Sequence, residues 1–234
     1  MTEGSHDIPR PKFWESDRSA EKPASTTLHP EFLARLAERG PLTLADIGSG
    51  RGKVLGELGK HNVIEVDINQ DDLQAAKEMD YPNASFVRAS GELLPLADNS
   101  VDGALLLGVL STVDRERREK MFKEASRVVK DNGLVYVAEF TTIDDPEAVA
   151  AMTGKKWSDI YKDDAPITGE YGTVIVRNPD GSPKFYAHHF TQEELADLYD
   201  RNQLEVDAIK RVQVISQVSG KIRDNWNIWG TKRE

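Results

Sequence analysis

The stretch Leu44-Ala-Asp-Ile-Gly-Ser-Gly-Arg-Gly-Lys53 limits more than any other what this chain can fold into. Leu44, Ala45 and Ile47 around Asp46 read as a short buried strand. The strand runs into a turn with Gly48, Gly50 and Gly52 at alternate positions, and helix-forming residues follow. Glycine tolerates positive φ and lets a ligand approach the backbone closely. The first amides of the following helix are expected to point outward and to suit a polar or anionic ligand. The spacing also excludes something. A dinucleotide fingerprint, Gly-x-Gly-x-x-Gly, would need its third glycine at position 53, which is Lys. A nicotinamide-linked oxidoreductase is therefore disfavoured.

Further segments follow in an ordered series. Asn62-Val-Ile-Glu-Val-Asp-Ile68 is a hydrophobic strand that ends in Asp67. An acid at the end of a second strand is suited to a ribose, because a carboxylate accepts two hydrogen bonds from a vicinal diol. Phe86 to Pro95 reads as a third strand and its loop, with Ser90, Gly91 and Glu92 in the loop. Asn99-Ser-Val-Asp leads into a fourth strand ending at Leu107, and Glu124-Ala-Ser-Arg-Val-Val-Lys-Asp-Asn-Gly133 closes a helix.

This series, from about Thr43 to Phe140, resembles the class I (Rossmann-like) S-adenosylmethionine (SAM)-dependent methyltransferases. The resemblance implies an α/β, doubly wound, seven-stranded sheet, mostly parallel with an antiparallel last strand and with helices on both faces. It implies S-adenosyl-L-methionine as cofactor and S-adenosyl-L-homocysteine (SAH) as product. The implied cofactor residues are Asp46, Gly48, Ser49, Gly50 and Gly52 in the turn, and Asp67 and Ile68 at the ribose. Ser90, Gly91 and Glu92 are implied over the adenine, and Leu107 at the end of the fourth strand. Two departures stand out. Ser90 replaces the family's usual acid in the third loop, and Asp131-Asn132-Gly133 replaces its Pro-Gly turn. Asn also tolerates left-handed backbone, so that turn is expected to survive.

The whole chain divides into four parts. Residues 1–24 are polar and Pro-rich, with Phe13 and Trp14 the exceptions. Residues 25–140 form the cofactor-binding core, opened by a helix expected over Thr26–Glu38 from the spacing of Phe32, Leu33 and Leu36. In 141–190 the strand–helix alternation stops, which suggests an acceptor-side insertion or lid. Within it, β formers on either side of Asn178-Pro-Asp-Gly-Ser-Pro183 predict a hairpin. Residues 191–234 supply a helix opened by a Thr191–Glu194 capping box, then the last two strands, near Leu204–Val212 and Trp226–Thr231. A chain of 234 residues without cysteine carries no disulfide framework, thiolate nucleophile or zinc–thiolate site. No metal site is expected. No apolar run reaches a membrane span and no signal-peptide pattern appears, so a cytoplasmic protein without membrane contact is expected, as monomer or homodimer.

Methyl transfer from a sulfonium is an in-line displacement, and a base is needed only when the acceptor must lose a proton. His188, His189 and Tyr171 are the candidates, with Tyr186, Glu139 and Thr141 beside them as acceptor-side residues. Each also has a plain packing reading. His188 and His189 precede Phe190-Thr-Gln-Glu-Glu-Leu195, where one histidine can sit beneath the helix start. Adjacent strand residues face opposite ways, so at most one points into a pocket. The charged helix Asp114–Lys130 suggests a basic surface, yet its mixed signs at i,i+4 spacing suit a solvated face over buried Met121, Phe122, Ala125 and Val129. Together with a net charge of −10, this favours a small-molecule acceptor over nucleic acid. The alternatives are a tRNA- or protein-modifying methyltransferase and a non-catalytic SAM-binding protein.

Overall fold

The computed structural model describes residues 27–141, 157–215 and 222–234. The expectations for residues 1–24, including Phe13 and Trp14, and for the first part of the insertion lie outside the described residues.

The glycine-rich turn belongs to a βαβ series. Helix α1 (Pro30–Glu38) precedes β1 (Thr43–Ile47), α2 (Leu55–Leu58), β2 (Asn62–Asp67), α3 (Gln70–Lys77), β3 (Ala84–Arg88) and β4 (Val101–Leu107). A single 3-10 turn, Leu110–Thr112, leads to α4 (Arg115–Val128) and β5 (Val129–Phe140). Then come α5 (Trp157–Thr168), the hairpin β6 (Thr173–Arg177) and β7 (Pro183–His188), α6 (Gln192–Arg201), β8 (Leu204–Ile215) and β9 (Ile222–Lys232). The main sheet has seven strands in the order β3-β2-β1-β4-β5-β9-β8. Its first five strands pair in parallel, and β9 runs antiparallel between β5 and β8. The expected doubly wound sheet is therefore present, and the hairpin forms a separate two-stranded sheet.

Parallel strands buried on both faces need apolar residues in both alternating sets. In β4, Leu105 and Leu107 join one core with Phe32, Leu36, Leu55, Leu58, Tyr136 and Trp229, under α1 and α2. Ala104 and Leu106 join the other, with Met121, Phe122, Leu195, Leu198 and Tyr199 of α4 and α6. Helices thus cover both faces. Tyr199 is fully buried, and its hydroxyl donates to the carbonyls of Val135 and Ile228, each at 3.1 Å, tying α6 to β5 and β9.

Local differences from the sequence reading have local causes. Helix α1 begins at Pro30, not Thr26, because proline lacks an N–H and fits the first helical position. The His29 ring caps it, Nδ1 accepting from the Glu31 amide at 3.2 Å. Asn132 does take a left-handed backbone, φ 62°. Both halves of the Thr191–Glu194 capping box form. Helix α5 was not expected, and Pro166 lies inside it.

Candidate active site

Strand order reverses at β1, which lies between β2 and β4, so the carboxyl ends of these strands open the crevice where α/β sheets bind ligands. The glycine-rich turn closes one wall, and its glycines have different duties. A Cβ on Gly48 would stand 2.4 Å from Val109 Cγ2, and one on Gly52 2.7 Å from Leu55 Cδ1. Both glycines therefore serve internal packing. A Cβ on Gly50, whose φ is 59°, would meet nothing within 4 Å. Gly50 is the position where the turn leaves room for a guest.

The turn's amides are engaged, contrary to the expectation that they point outward. Gly48 and Ser49 donate to the Val66 carbonyl at 2.7 and 3.2 Å, Gly52 to Ser49 at 3.3 Å and Leu55 to Gly52 at 3.3 Å. Gly50 donates to Asp67 Oδ2 at 2.8 Å. These five amides are therefore spent inside the protein, and α2 is only four residues long. The polar groups beneath the turn are acids.

Asp46 and Glu65 are register partners on adjacent parallel strands and face the same way. Both are completely or almost completely buried, as is Ser49. None of the four carboxyl oxygens, nor the Ser49 hydroxyl, has a hydrogen-bond partner among the described residues. Burial pushes both carboxyls well above the usual range, and neighbouring acid raises each further; the nearby Ser49 hydroxyl and then Lys53 pull Glu65 the other way, and Lys53 does the same for Asp46. Two such carboxyls cannot both ionise without a cation or donors nearby. Asp67 lies above them, where its Oδ1 accepts from the Asn69 amide at 2.8 Å. Glu139 at the end of β5 is buried and accepts from the Leu110 amide at 2.7 Å; burial moves it to about 7 despite that bond and the pull of Lys53.

The loop after β3 is fastened to this wall by the Ala89 amide, which donates to the Asp67 carbonyl at 3.0 Å. Ser90 Oγ accepts from the Glu92 amide at 3.2 Å. Glu92 itself pairs with Arg117 of α4, and a Cβ on Gly91 would stand 2.6 Å from Met121 Cε. Of the three loop residues, Ser90 is thus the one not committed to α4. Ile68 is half-buried and Leu107 is buried, its carbonyl accepting from Lys53 Nζ at 2.9 Å.

The two histidines separate as their alternation requires. His188 Nδ1 bonds the Thr173 hydroxyl at 2.8 Å. It joins a polar node in which Arg118 grips Glu170 with two bonds, 3.0 and 3.1 Å, and Thr173 donates to Glu170 at 2.9 Å. Glu194 of the capping box lies 3.7 Å from His188 Nε2. Burial alone would raise Glu170, but the Arg118 bonds and the charges of His188 and Arg118 hold it below its ordinary value. Arg118 also stacks on Phe190, 4.9 Å from the ring centroid, and donates to the Leu110 carbonyl at 3.2 Å. His189 faces the other way. Its Nδ1 bonds the Tyr161 hydroxyl of α5 at 2.7 Å, and Tyr161 packs edge-on against Tyr171 at 5.3 Å. Phe140 lies 6.4 Å from His189, ring to ring. Tyr171 is exposed, and the buried Tyr186 hydroxyl has no partner among the described residues. Thr141 forms an isolated bridge with Phe190, joining the end of β5 to the hairpin's exit.

Sequence reasoning missed Tyr161, Arg118 and Glu65. Arg118 lies at helical spacing with Phe122 and Ala125 on the buried face, and Glu65 interrupts an apolar strand; both irregularities are visible signals.

The seven-stranded sheet with its antiparallel β9 is the fold of class I methyltransferases. Comparison with known proteins narrows it. Residues 45–137 match the methyltransferase domain family. Over 110 residues the chain is 31% identical to the ubiquinone/menaquinone biosynthesis C-methyltransferase UbiE of Campylobacter jejuni, covering 43% of this chain and 45% of that one. It is 29% identical over 117 residues to phosphoethanolamine N-methyltransferase 1 of Triticum aestivum, covering 47% and 24%. The chain thus spans less than half the length of these curated relatives. Among solved structures, a SAM-dependent methyltransferase of Methanosarcina mazei aligns with TM-score 0.76 and 27% identity over 89% of this chain and 99% of its own. The 1,6-didemethyltoxoflavin-N1-methyltransferase of Burkholderia thailandensis, solved with bound 1,6-didemethyltoxoflavin and SAH, shares the fold at TM-score 0.61 and 16% identity, over 88% and 78%. Residues 45–137 are thus similar to the methyltransferase domain family, and the chain has the fold of SAM-dependent methyltransferases.

Proposed function

We propose that this protein transfers a methyl group from SAM to a small-molecule acceptor. The observation that carries the cofactor half is the set of orphaned buried atoms of Asp46, Glu65 and Ser49 beneath a turn that leaves open space at Gly50. Buried polar groups without partners are uncommon, and a ligand rich in donors and carrying a cation supplies what these lack. The cofactor, when bound, supplies an electrophilic methyl on a sulfonium. The chain's residues bind and orient it. Asp67, held by the Gly50 and Asn69 amides, presents its carboxylate to the ribose hydroxyls, since each oxygen accepts more than one bond. Ser90 and the Gly91 backbone cover the adenine, while Glu92 braces the loop on Arg117. Ile68 offers an apolar wall, and Leu107, its side chain in the core, meets the crevice through its backbone.

The acceptor half rests on the cap. Helix α5 and the hairpin bring Tyr161, Tyr171 and His189 together above the end of β5. Such a cluster suits an aromatic or largely apolar small molecule. Where that acceptor must lose a proton, His189, aligned by Tyr161, is the group placed to take it; His188 is tied into the Arg118 node and holds the cap in place. The charged helix does not form a basic stripe. Arg117, Arg118, Lys120 and Arg127 pair with Glu92, Glu170, Glu116 and Glu124, which weighs against nucleic acid. No described helix is long and apolar enough to cross a membrane.

Calorimetric titration with SAM, SAH and NADH tests this directly. Binding of the two adenosyl ligands without NADH is expected, followed by transfer of labelled methyl to members of a panel of phenols, quinols and amines. Failure of both adenosyl ligands to bind would end this reading.

A further inference from the structure

Lys53 stands directly after the glycine-rich turn and is half-buried. Its ammonium donates to the Leu107 carbonyl at the carboxyl end of β4. Its charge also reaches three other strands, favouring the ionised forms of Asp46 on β1, Glu65 on β2 and Glu139 on β5. The carboxyl end of β4 adjoins β1 at the switch point, so the bond to Leu107 sets the ammonium at the crevice. Asp46, Glu65 and Glu139 lie buried around this ammonium. They complement the ammonium of an aminoacyl group but would repel its carboxylate, unless a cation stood beside it. A lysine on a flexible stem, with three donors, can serve a carbonyl and a carboxylate together.

We propose that Lys53 receives the carboxylate of the cofactor's aminoacyl end, so that the crevice selects a zwitterionic tail over a purely cationic one. The proposal rests on the methyltransferase reading and adds to it a residue that determines specificity. Its effect is on binding, and no acceptor is needed to see it.

The experiment is calorimetric titration of the full chain with two probes, SAH and S-adenosyl-3-thiopropylamine, the latter being SAH without its carboxylate. The wild-type protein should bind SAH about tenfold or more tightly than the amine, the scale of one partly buried ion pair. Lys53→Met should lose about tenfold on SAH and little on the amine, collapsing the preference to about twofold or less. Lys53→Arg should retain most of it. Thermal melting of each variant checks that the fold persists. A preference that survives in Lys53→Met overturns the proposal. So does tighter SAH binding by that variant, which would make Lys53 an internal counter-ion that ligands must displace. A wild-type protein that binds both probes equally also overturns it but leaves the methyltransferase reading standing. A wild-type protein that binds neither removes that reading and the proposal with it.

Discussion

Two regions of this molecule bury charge, and they do so in opposite ways. Under the cap, Arg118 is matched by both oxygens of Glu170, which also accept from Thr173, and His188 closes the group. Under the glycine-rich turn, Asp46 and Glu65 are buried as deeply, yet their oxygens have no hydrogen-bond partner among the described residues. A satisfied buried network fixes the placement of elements; it joins α4, the 3-10 turn, the hairpin and the start of α6. An unsatisfied one is held at a cost in stability, and a binding site is where that cost is recovered on ligand binding. The contrast separates scaffold from site without appeal to any relative.

The comparison is broken most sharply at Arg118. Arg118→Met removes two charged bonds from the partly buried Glu170, which keeps Thr173 and His188 beside it, and should cost about 2–3 kcal/mol of folding stability. Denaturant melts would show it; a loss under about 1 kcal/mol would mean that the node is no tighter than a surface ion pair. Asp67→Ala should act on binding instead. It removes the carboxylate set for the ribose and the anchor of the Gly50 amide, and SAH affinity should fall about tenfold to a hundredfold, about 1.4–2.7 kcal/mol. Unchanged affinity in calorimetry would sink the ribose assignment.

Gly50→Ala tests the open position. Its positive φ makes any side chain strained, by about 1 kcal/mol, and the new methyl projects into the crevice, so SAH binding should suffer more than thermal stability. Equal losses in both would place Gly50 with the packing glycines.

Glu65→Gln gives the smallest effect, on the order of 1 kcal/mol, and a distinctive pH dependence. Burial raises Glu65, with Asp46 adding to it. A carboxyl raised in the folded state contributes most stability below its unfolded pKa and loses it as pH rises through the folded value. The wild-type protein should therefore lose stability as pH climbs from about 5 through neutrality. Glutamine, which cannot ionise, should flatten that decline. Parallel melting curves for the two proteins between pH 5 and 9 would remove the claim that Glu65 is held protonated.

Much of this was legible in the chain because it is local chemistry. The glycine spacing, the Asn178–Pro183 turn and the Thr191–Glu194 box are set by residues within a few positions of one another, so type and place followed from backbone rules. Helix α5 was not legible: it has an internal Pro166 and takes its order from Tyr161 meeting His189. The amides of the turn were misread for a similar reason. Their acceptors, Val66 and Asp67, arrive on the neighbouring strand.

The sequence by itself determined the alternation of strands and helices, the turn that opens the crevice and the resemblance of residues 45–137 to a methyltransferase domain. These depend on periodicity and on residues with few allowed conformations. Only the tertiary structure decided which acids share a face, which histidine joins the tyrosines and where the Lys53 ammonium comes to rest. Asp46 and Glu65 become register partners through strand pairing, and Arg118 finds Glu170 52 residues further along the chain. Such contacts are chosen by how whole elements pack, and no local pattern encodes them.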